Sequence, residues 1–288
     1  MDVPLLQKLR HQTIVANGAM GSMLAAKGLR LTNSALANEE NPDVVKGIFA
    51  EYLEAGAELL QSNTFAANAV MLRHAGLEAR HDSLNRLGMR LLREVAGDAA
   101  YVAANLGPTG ELLDPLGPLT EPEAREVFRR QAEVLLAEGA DLVLLESFEA
   151  LDELAAAVAG VREAGGQVPV ATTFSFSQPS GRSMMGVSPA QALATMVELG
   201  VDVVGANCGL PSTTLAAVQE MAALTDLPLM MQANAGVPQI RGGETVFSGS
   251  PDDSAELARQ AVAAGVRIIG GCCGTTPAHI AAIVRALA

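Results

Sequence analysis

The sequence predicts a single-domain (β/α)8 barrel of the α/β class, and three observations carry that expectation. Eight short apolar runs, each ending in polar residues, recur along the chain, with Ala-, Leu-, Glu- and Arg-rich stretches of helical spacing between them. The runs are continuously apolar rather than alternating, which marks parallel strands buried on both faces. Eight such units in 288 residues fit a closed barrel, typically about 250 residues, better than an open doubly wound sheet, which usually has fewer strands.

In chain order the predicted strands are TIVANGA from Thr13, AELLQSNTF from Ala57, YVAANLG from Tyr101, LVLLESF from Leu142, VPVATTFSF from Val168, VDVVGANC from Val201, PLMMQANAG from Pro228 and VRIIGGCC from Val266. A weak internal repeat (EAGAELLQSN, AEGADLVLLES, ELGVDVVGAN, AAGVRIIGGC) sets Gly56, Gly139, Gly200 and Gly265 between helix and strand, where a left-handed residue ends a helix. Helix starts are marked by Asn41-Pro42, Glu121-Pro122, Ser188-Pro189, Ser250-Pro251 and Thr276-Pro277, because Pro suits a first helical turn and a side-chain oxygen before it caps the free N–H groups. No linker or composition shift divides the chain, so residues 1–288 read as one domain.

Barrel enzymes carry their chemistry at the C-terminal ends of the strands. Those ends read Asn17, Asn63 with Thr64, Asn105, Glu146, Thr172 with Thr173, Asn207 with Cys208, Asn234, and Cys272 with Cys273. Polar groups there are costly to bury unless something binds them. Asn and Thr also serve as ordinary strand caps and turn formers, and for each of them both readings stand.

Composition narrows the partners. Thirty-two acidic against 19 basic residues give a formal charge of -13, which repels phosphate backbones and anionic membranes and argues against nucleic acid as a partner. No apolar run reaches the roughly 18 residues of a membrane span. The start MDVPLLQKLRHQT lacks the basic and apolar segments of a secretory signal, so a cytoplasmic protein is expected. Three cysteines exclude a disulfide scaffold and suit a reducing compartment. Cys208 ends the sixth strand and Cys272 and Cys273 end the eighth, so a closed barrel sets them two strands apart, roughly 10 Å before the side chains lean inward. Three thiolates with a vacant fourth position would form a catalytic zinc site. The alternatives are three small buried apolar side chains, or a vicinal disulfide. His11, His74, His81 and His279 all fall away from the strand ends and offer no fourth ligand.

The segments GANCG around Cys208 and GGCCGTTPAHI around the terminal pair closely resemble the metal motifs of the homocysteine S-methyltransferase family, zinc-dependent thiol methyltransferases. NGAMGSML, NPDVVKGIFAEYLEAGAELLQSNTF, NLGPTG, LLESFE, GRSMMGVSP and QANAG are similar, in order, to blocks of the homocysteine-binding module of cobalamin-dependent methionine synthase, so the resemblance covers essentially the whole chain. It implies the barrel, Cys208, Cys272 and Cys273 as Zn2+ ligands, a homocysteine thiol as the fourth, and Asn234 in that position when substrate is absent. It implies also that the first loop, through Gly18, Ala19 and Met20, takes the substrate carboxylate, that Glu146 takes the ammonium group, and that Asn17 and Asn63 line the same site. Asn63, Thr109 and Arg182 are weaker candidates, explained about as well by turns.

Two departures stand out. Relatives usually carry Asp where this chain has Asn17, and a Glu-Thr pair where it has Gln61-Ser62, so acidic groups beside the ammonium site are lost. The family's donors are methylcobalamin, S-methylmethionine, S-adenosylmethionine or betaine. The chain has no Trp for cation–π contact with betaine, and NLGPTG and GCCGTTP are most like the methionine synthase branch. Methylcobalamin carried by a separate corrinoid protein is therefore the expected donor, with a small sulfonium second. A non-catalytic thiol-binding subunit is the alternative of a different class.

Overall fold

The computed structural model describes residues 4–242 and 244–288, and the eight predicted strands form one parallel sheet closed into a (β/α)8 barrel. The strands are β1 (Ile14–Val15), β2 (Leu59–Gln61), β3 (Tyr101–Leu106), β4 (Leu142–Phe148), β5 (Val170–Ser175), β6 (Val203–Asn207) and β7 (Leu229–Ala233). An antiparallel hairpin of β8 (Pro238–Arg241) and β9 (Glu244–Phe247) follows, and β10 (Val266–Gly271) is the last barrel strand. The barrel order is β1-β10-β7-β6-β5-β4-β3-β2. Its ends meet in a single bridge between Ala16 and Leu59, flanked by the Glu58 N–H to Val15 oxygen bond (2.7 Å) and the Asn17 N–H to Leu59 oxygen bond (3.0 Å).

Alternation along the strands divides the apolar residues into two sets. Val15, Leu60, Val102, Val143 and Leu145 point outward against the surrounding helices. Ile14, Leu59, Ala103, Leu144, Val203 and Met230 point inward and fill the lower barrel. Leu5 and Leu9 of the helix Pro4–Leu9, an element with no counterpart among the expected ones, join this inner set and seal the bottom. Two residues further along each strand, or four in β6, the inward positions become Gln61, Asn105, Glu146, Thr173, Asn207 and Gln232, all buried. The barrel interior thus changes from aliphatic to polar toward the C-terminal ends, with no change of strand geometry.

Helix punctuation follows the residues that predict it. Gly56, Gly139, Gly200 and Gly265 all have left-handed φ, between 66° and 100°. Thr120, Ser188 and Ser250 close capping boxes with Glu123, Gln191 and Asp253, whereas Asn41 makes no side-chain cap. Strand ends differ in detail from the expectation. β2 stops at Gln61, so Asn63 and Thr64 lie in the following loop, and Thr172 and Thr173 lie in mid-strand. Among the described residues no helix is long and apolar enough to cross a membrane.

Leu9 is almost wholly buried, and truncation would leave a cavity that the surrounding strands cannot refill. Leu9→Ala should cost about 2–5 kcal/mol of stability, read as a lowered urea midpoint with an unchanged slope. A midpoint equal to that of the native chain would mean that the helix does not plug the barrel.

Candidate metal and substrate site

The three cysteines reach one point because β7 lies between their strands and anchors both. Cys208 donates its N–H to the Gln232 oxygen (3.0 Å), Cys272 donates to the Ala233 oxygen (2.9 Å), and Ala235 donates back to the Cys273 oxygen (2.9 Å). Consecutive residues of a strand point to opposite faces, yet Cys272 and Cys273 serve one site. β10 ends at Gly271 and the chain turns at Gly274 (φ 80°), which swings both sulfurs to the same side. Cys208 itself has φ 55°, a left-handed conformation that a β-substituted residue adopts only when its surroundings impose it.

The three Sγ atoms lie within 4.8 Å of one another, with Cys208 and Cys273 4.0 Å apart. Tetrahedral zinc with Zn–S bonds of about 2.3 Å sets ligand sulfurs about 3.8 Å apart, so the cluster needs little movement to hold such an ion. Its titration points the same way. Contact with Cys208 and then Cys272 holds Cys273 far below the usual thiol range, at about 3. Cys272 is driven well above that range by Cys208, Cys273 and burial. At Cys208, contact with Cys272 lowers while contact with Cys273 and burial raise, and the result is pushed up to about 12. Burial and mutual contact thus oppose deprotonation of all three thiols together, and three thiolates need a positive ion among them. Asn234 donates its N–H to the Gly209 oxygen (3.1 Å), and its buried Oδ1 has no hydrogen-bond partner. That oxygen is a spare hard donor one residue from the cluster's anchor strand.

A pocket of about 260 Å3 opens beside the sulfurs and is lined by Asn17, Gly18, Ala19, Met20, Asn63 and Glu146, among others. Glu146 is buried on β4 between two amides: Asn105 Nδ2 donates to Oε2 (2.8 Å) and Asn207 Nδ2 to Oε1 (3.1 Å). Burial pushes its carboxyl up to about 7; the Asn105 bond opposes that rise, the nearby Cys273 adds to it, and the Asn207 bond opposes it. Ser147 follows with φ 66° and donates its N–H to Asn207 Oδ1 (3.1 Å), which locks the bend that carries Glu146 inward. A larger cavity of about 550 Å3 lies at the opposite end, lined by Leu9, Arg10 and Arg267, and contains none of the rim residues.

The remaining expected residues sort by their existing bonds. Asn17 Oδ1 accepts from the Gln61 N–H (3.0 Å) and its Nδ2 donates to the Gly18 oxygen (3.2 Å). Asn63 Nδ2 donates to the Ser34 oxygen and to Asn38 Oδ1, both at 2.8 Å, so its amide hydrogens are spent on the loop. The Ala19 N–H is engaged by Thr275 Oγ1 (3.1 Å), leaving Met20 and the next N–H groups of the helix Met20–Ala26 as the first loop's donors. Gly18 is required for a reason other than ligand approach: a Cβ there would stand 2.6 Å from Thr275 Oγ1 and 2.9 Å from the Tyr52 hydroxyl. Thr109 is held by Glu153 through its N–H and hydroxyl (2.8 and 2.6 Å), and exposed Arg182 bonds the Gly186 oxygen in its own loop; neither lines the pocket.

Gln61 and Ser62, which the resemblance sets beside the ammonium site, line the pocket, whereas sequence reasoning missed Ser34 and Ser147. The inward period of β2 and β4 points to Gln61 and Glu146 once Leu59 and Leu144 are known to face in. Nothing local marks Ser34, which arrives from the loop after β1. The hairpin did have a signal, since Gly242-Gly243 stands between the runs PQIR and ETVF.

Fold and site together define a thiol-lined (β/α)8 barrel able to hold a soft metal ion beside a small polar pocket. The chain belongs to the homocysteine S-methyltransferase family, whose model matches residues 14–287. It is 32% identical over 306 aligned residues to methionine synthase of Mycobacterium tuberculosis, covering 100% of this chain and 26% of that protein, so it spans about a quarter of that relative. Similarity to betaine–homocysteine S-methyltransferase 1 of Rattus norvegicus is 31% over 272 residues, covering 86% of this chain and 65% of the relative. Among solved structures, the metallated form of the homocysteine methyltransferase MmuM from Escherichia coli superposes with a TM-score of 0.81 at 27% identity, covering 97% of each chain. The oxidized form gives 0.80 at 28% identity over 99% of each.

Glu146 generates a pH prediction. Its folded value of about 7 lies above the unfolded 4.5, so between those values the folded state binds the extra proton and stability falls as pH rises through that window. Glu146→Gln should remove that slope and make the substrate-free protein up to about 3 kcal/mol more stable than the native chain at pH about 8, but not at pH about 4. Urea denaturation at both pH values checks it; an equal difference at both would sink the idea.

Proposed function

We propose that this chain is a zinc-dependent homocysteine S-methyltransferase that forms methionine. The observation that carries the reading is three sulfurs within 4.8 Å at the edge of a pocket that also holds one buried carboxylate, Glu146. Cys208, Cys272 and Cys273 would hold the ion, and Asn234 Oδ1 would be the weak fourth donor that a substrate thiol displaces. A bound zinc ion supplies the positive charge that keeps a thiol deprotonated, and so nucleophilic, at neutral pH.

The chain's own residues bind and orient the substrate. Glu146, fixed by Asn105 and Asn207, receives the ammonium group, whose charge relieves the cost of burying a lone carboxylate. N–H groups at the start of the helix Met20–Ala26 receive the substrate carboxylate. Asn17, Gly18, Ala19 and Asn63 shape the walls. With the amino-acid head held at Glu146 and the first loop, in the pocket that the cysteines also line, the sulfur is directed toward the cysteines and toward the open face from which a donor arrives. For the donor we favour methylcobalamin on a separate corrinoid protein, supported by similarity to methionine synthase along the whole chain. A reduced thiol triad fits the cytoplasm.

Metal analysis of purified, reduced protein should find close to one zinc per chain. Cys208→Ser should lose metal affinity and methionine formation by at least roughly tenfold to a hundredfold; zinc-free wild type, or a fully active variant, would falsify the reading. Parallel turnover assays separate the donors. Methionine from methylcobalamin supports the assignment, methionine from S-methylmethionine alone moves it to a small sulfonium, and calorimetric homocysteine binding without turnover from either indicates a thiol-binding subunit.

A further inference from the structure

Gln61 is the last residue of β2 and points into the barrel, as Leu59 does. Its side chain is 6% exposed and lines the pocket. Asn17 Oδ1 holds its backbone N–H, but its side-chain amide has no hydrogen bond among the described residues, and Nε2 is sealed from solvent without a partner. An orphaned buried amide costs about 1–3 kcal/mol, so a ligand that satisfies it gains what the empty pocket lacks. Asn105, the next inward residue on the neighbouring strand, repeats the pattern: Nδ2 donates to Glu146, while its buried Oδ1 has no partner.

Position decides what Gln61 would meet. β2 lies between β1, with the first loop beyond it, and β3, with Glu146 of β4 beyond that. On one side are the donors suited to a carboxylate, and on the other are Asn105 Oδ1 and Glu146, both acceptors suited to an ammonium group. Glu146 is the single carboxylate among the lining residues. A primary amide is an uncharged side-chain group that offers both a donor and an acceptor in fixed relation.

We infer that Gln61 is a specificity-determining residue that reads both charged ends of an α-amino-acid thiol, Nε2 donating to the carboxylate and Oε1 accepting from the ammonium group. The inference rests on the functional reading above and sharpens it: the pocket selects an unmodified zwitterionic head. A carboxylate at position 61 could only accept, pairing with the ammonium group and repelling the carboxylate.

The test is calorimetric binding to zinc-loaded wild type, Gln61→Glu and Gln61→Met, with zinc content checked for each. The probes are homocysteine, its analogue without the amino group and its analogue without the carboxylate. Gln61→Glu should weaken homocysteine by roughly tenfold to a hundredfold relative to the carboxylate-free analogue. Gln61→Met, of similar size and uncharged, should weaken homocysteine and narrow its advantage over both analogues. Equal weakening of all three thiols by Gln61→Glu, or unchanged homocysteine binding by Gln61→Met, overturns the inference and leaves the functional reading standing. Wild type that binds no homocysteine overturns that reading and the inference with it.

Discussion

The hydroxyl of Thr275 holds together the first and last βα units, and the site depends on that seam. It donates to the Cys272 oxygen (2.6 Å) and accepts from the Ala19 N–H (3.1 Å), while the Tyr52 hydroxyl lies within reach of both the Ala19 and Thr275 oxygens (2.9 and 3.1 Å). Barrel closure on β1 is otherwise thin, with two residues in the strand and one bridge to β2. Side-chain bonds therefore supply what a longer ladder would. The cysteine pair and the first loop stand on opposite sides of this seam, and Thr275 is joined there by the Gly271 N–H to Asn17 oxygen bond (3.2 Å) and the Gly274 N–H to Ser22 Oγ bond (3.0 Å).

Below the seam the barrel is an ordinary hydrophobic core; above it every inward residue of the central strands is polar. The cost of burying that polar layer is met partly by internal pairing, as at Glu146 with Asn105 and Asn207, and partly left unmet, as at Gln61 Nε2, Asn105 Oδ1, Gln232 Oε1 and Asn234 Oδ1. Left-handed φ at Ser147 and Cys208 adds strain in the same layer. Unpaired amides and strained backbone thus concentrate where the pocket lies, a distribution expected when binding rather than folding has shaped the layer.

The strands were legible because parallel strands covered on both sides must be apolar throughout, and the helix ends because glycine and proline act through their own backbone geometry at Gly56, Gly200, Pro189 and Pro251. Strand order placed Cys208 two strands from Cys272 and Cys273, but only the family resemblance implied that all three sulfurs serve one ion. What escaped were interactions between elements distant in sequence: the helix Pro4–Leu9 under the barrel, Ser34 beside Asn63, and the two amides that hold Glu146. Local pattern carries the direction of a side chain but not the identity of what it meets. The roles given to Ala19 and Gly18 show the same limit, since both are committed to Thr275, a partner about 256 residues away.

Gly271-Cys272-Cys273-Gly274 joins two demands in four residues. A Cβ at Gly271 would stand 2.3 Å from Thr275 Oγ1, and one at Gly274 would stand 2.2 Å from the Phe247 ring of the hairpin. The vicinal thiols converge only because the strand stops between these two glycines. The pair is therefore not a portable metal motif: grafted onto another strand without its glycines, the threonine and the aromatic ring above it, the same two cysteines would point to opposite faces of the sheet.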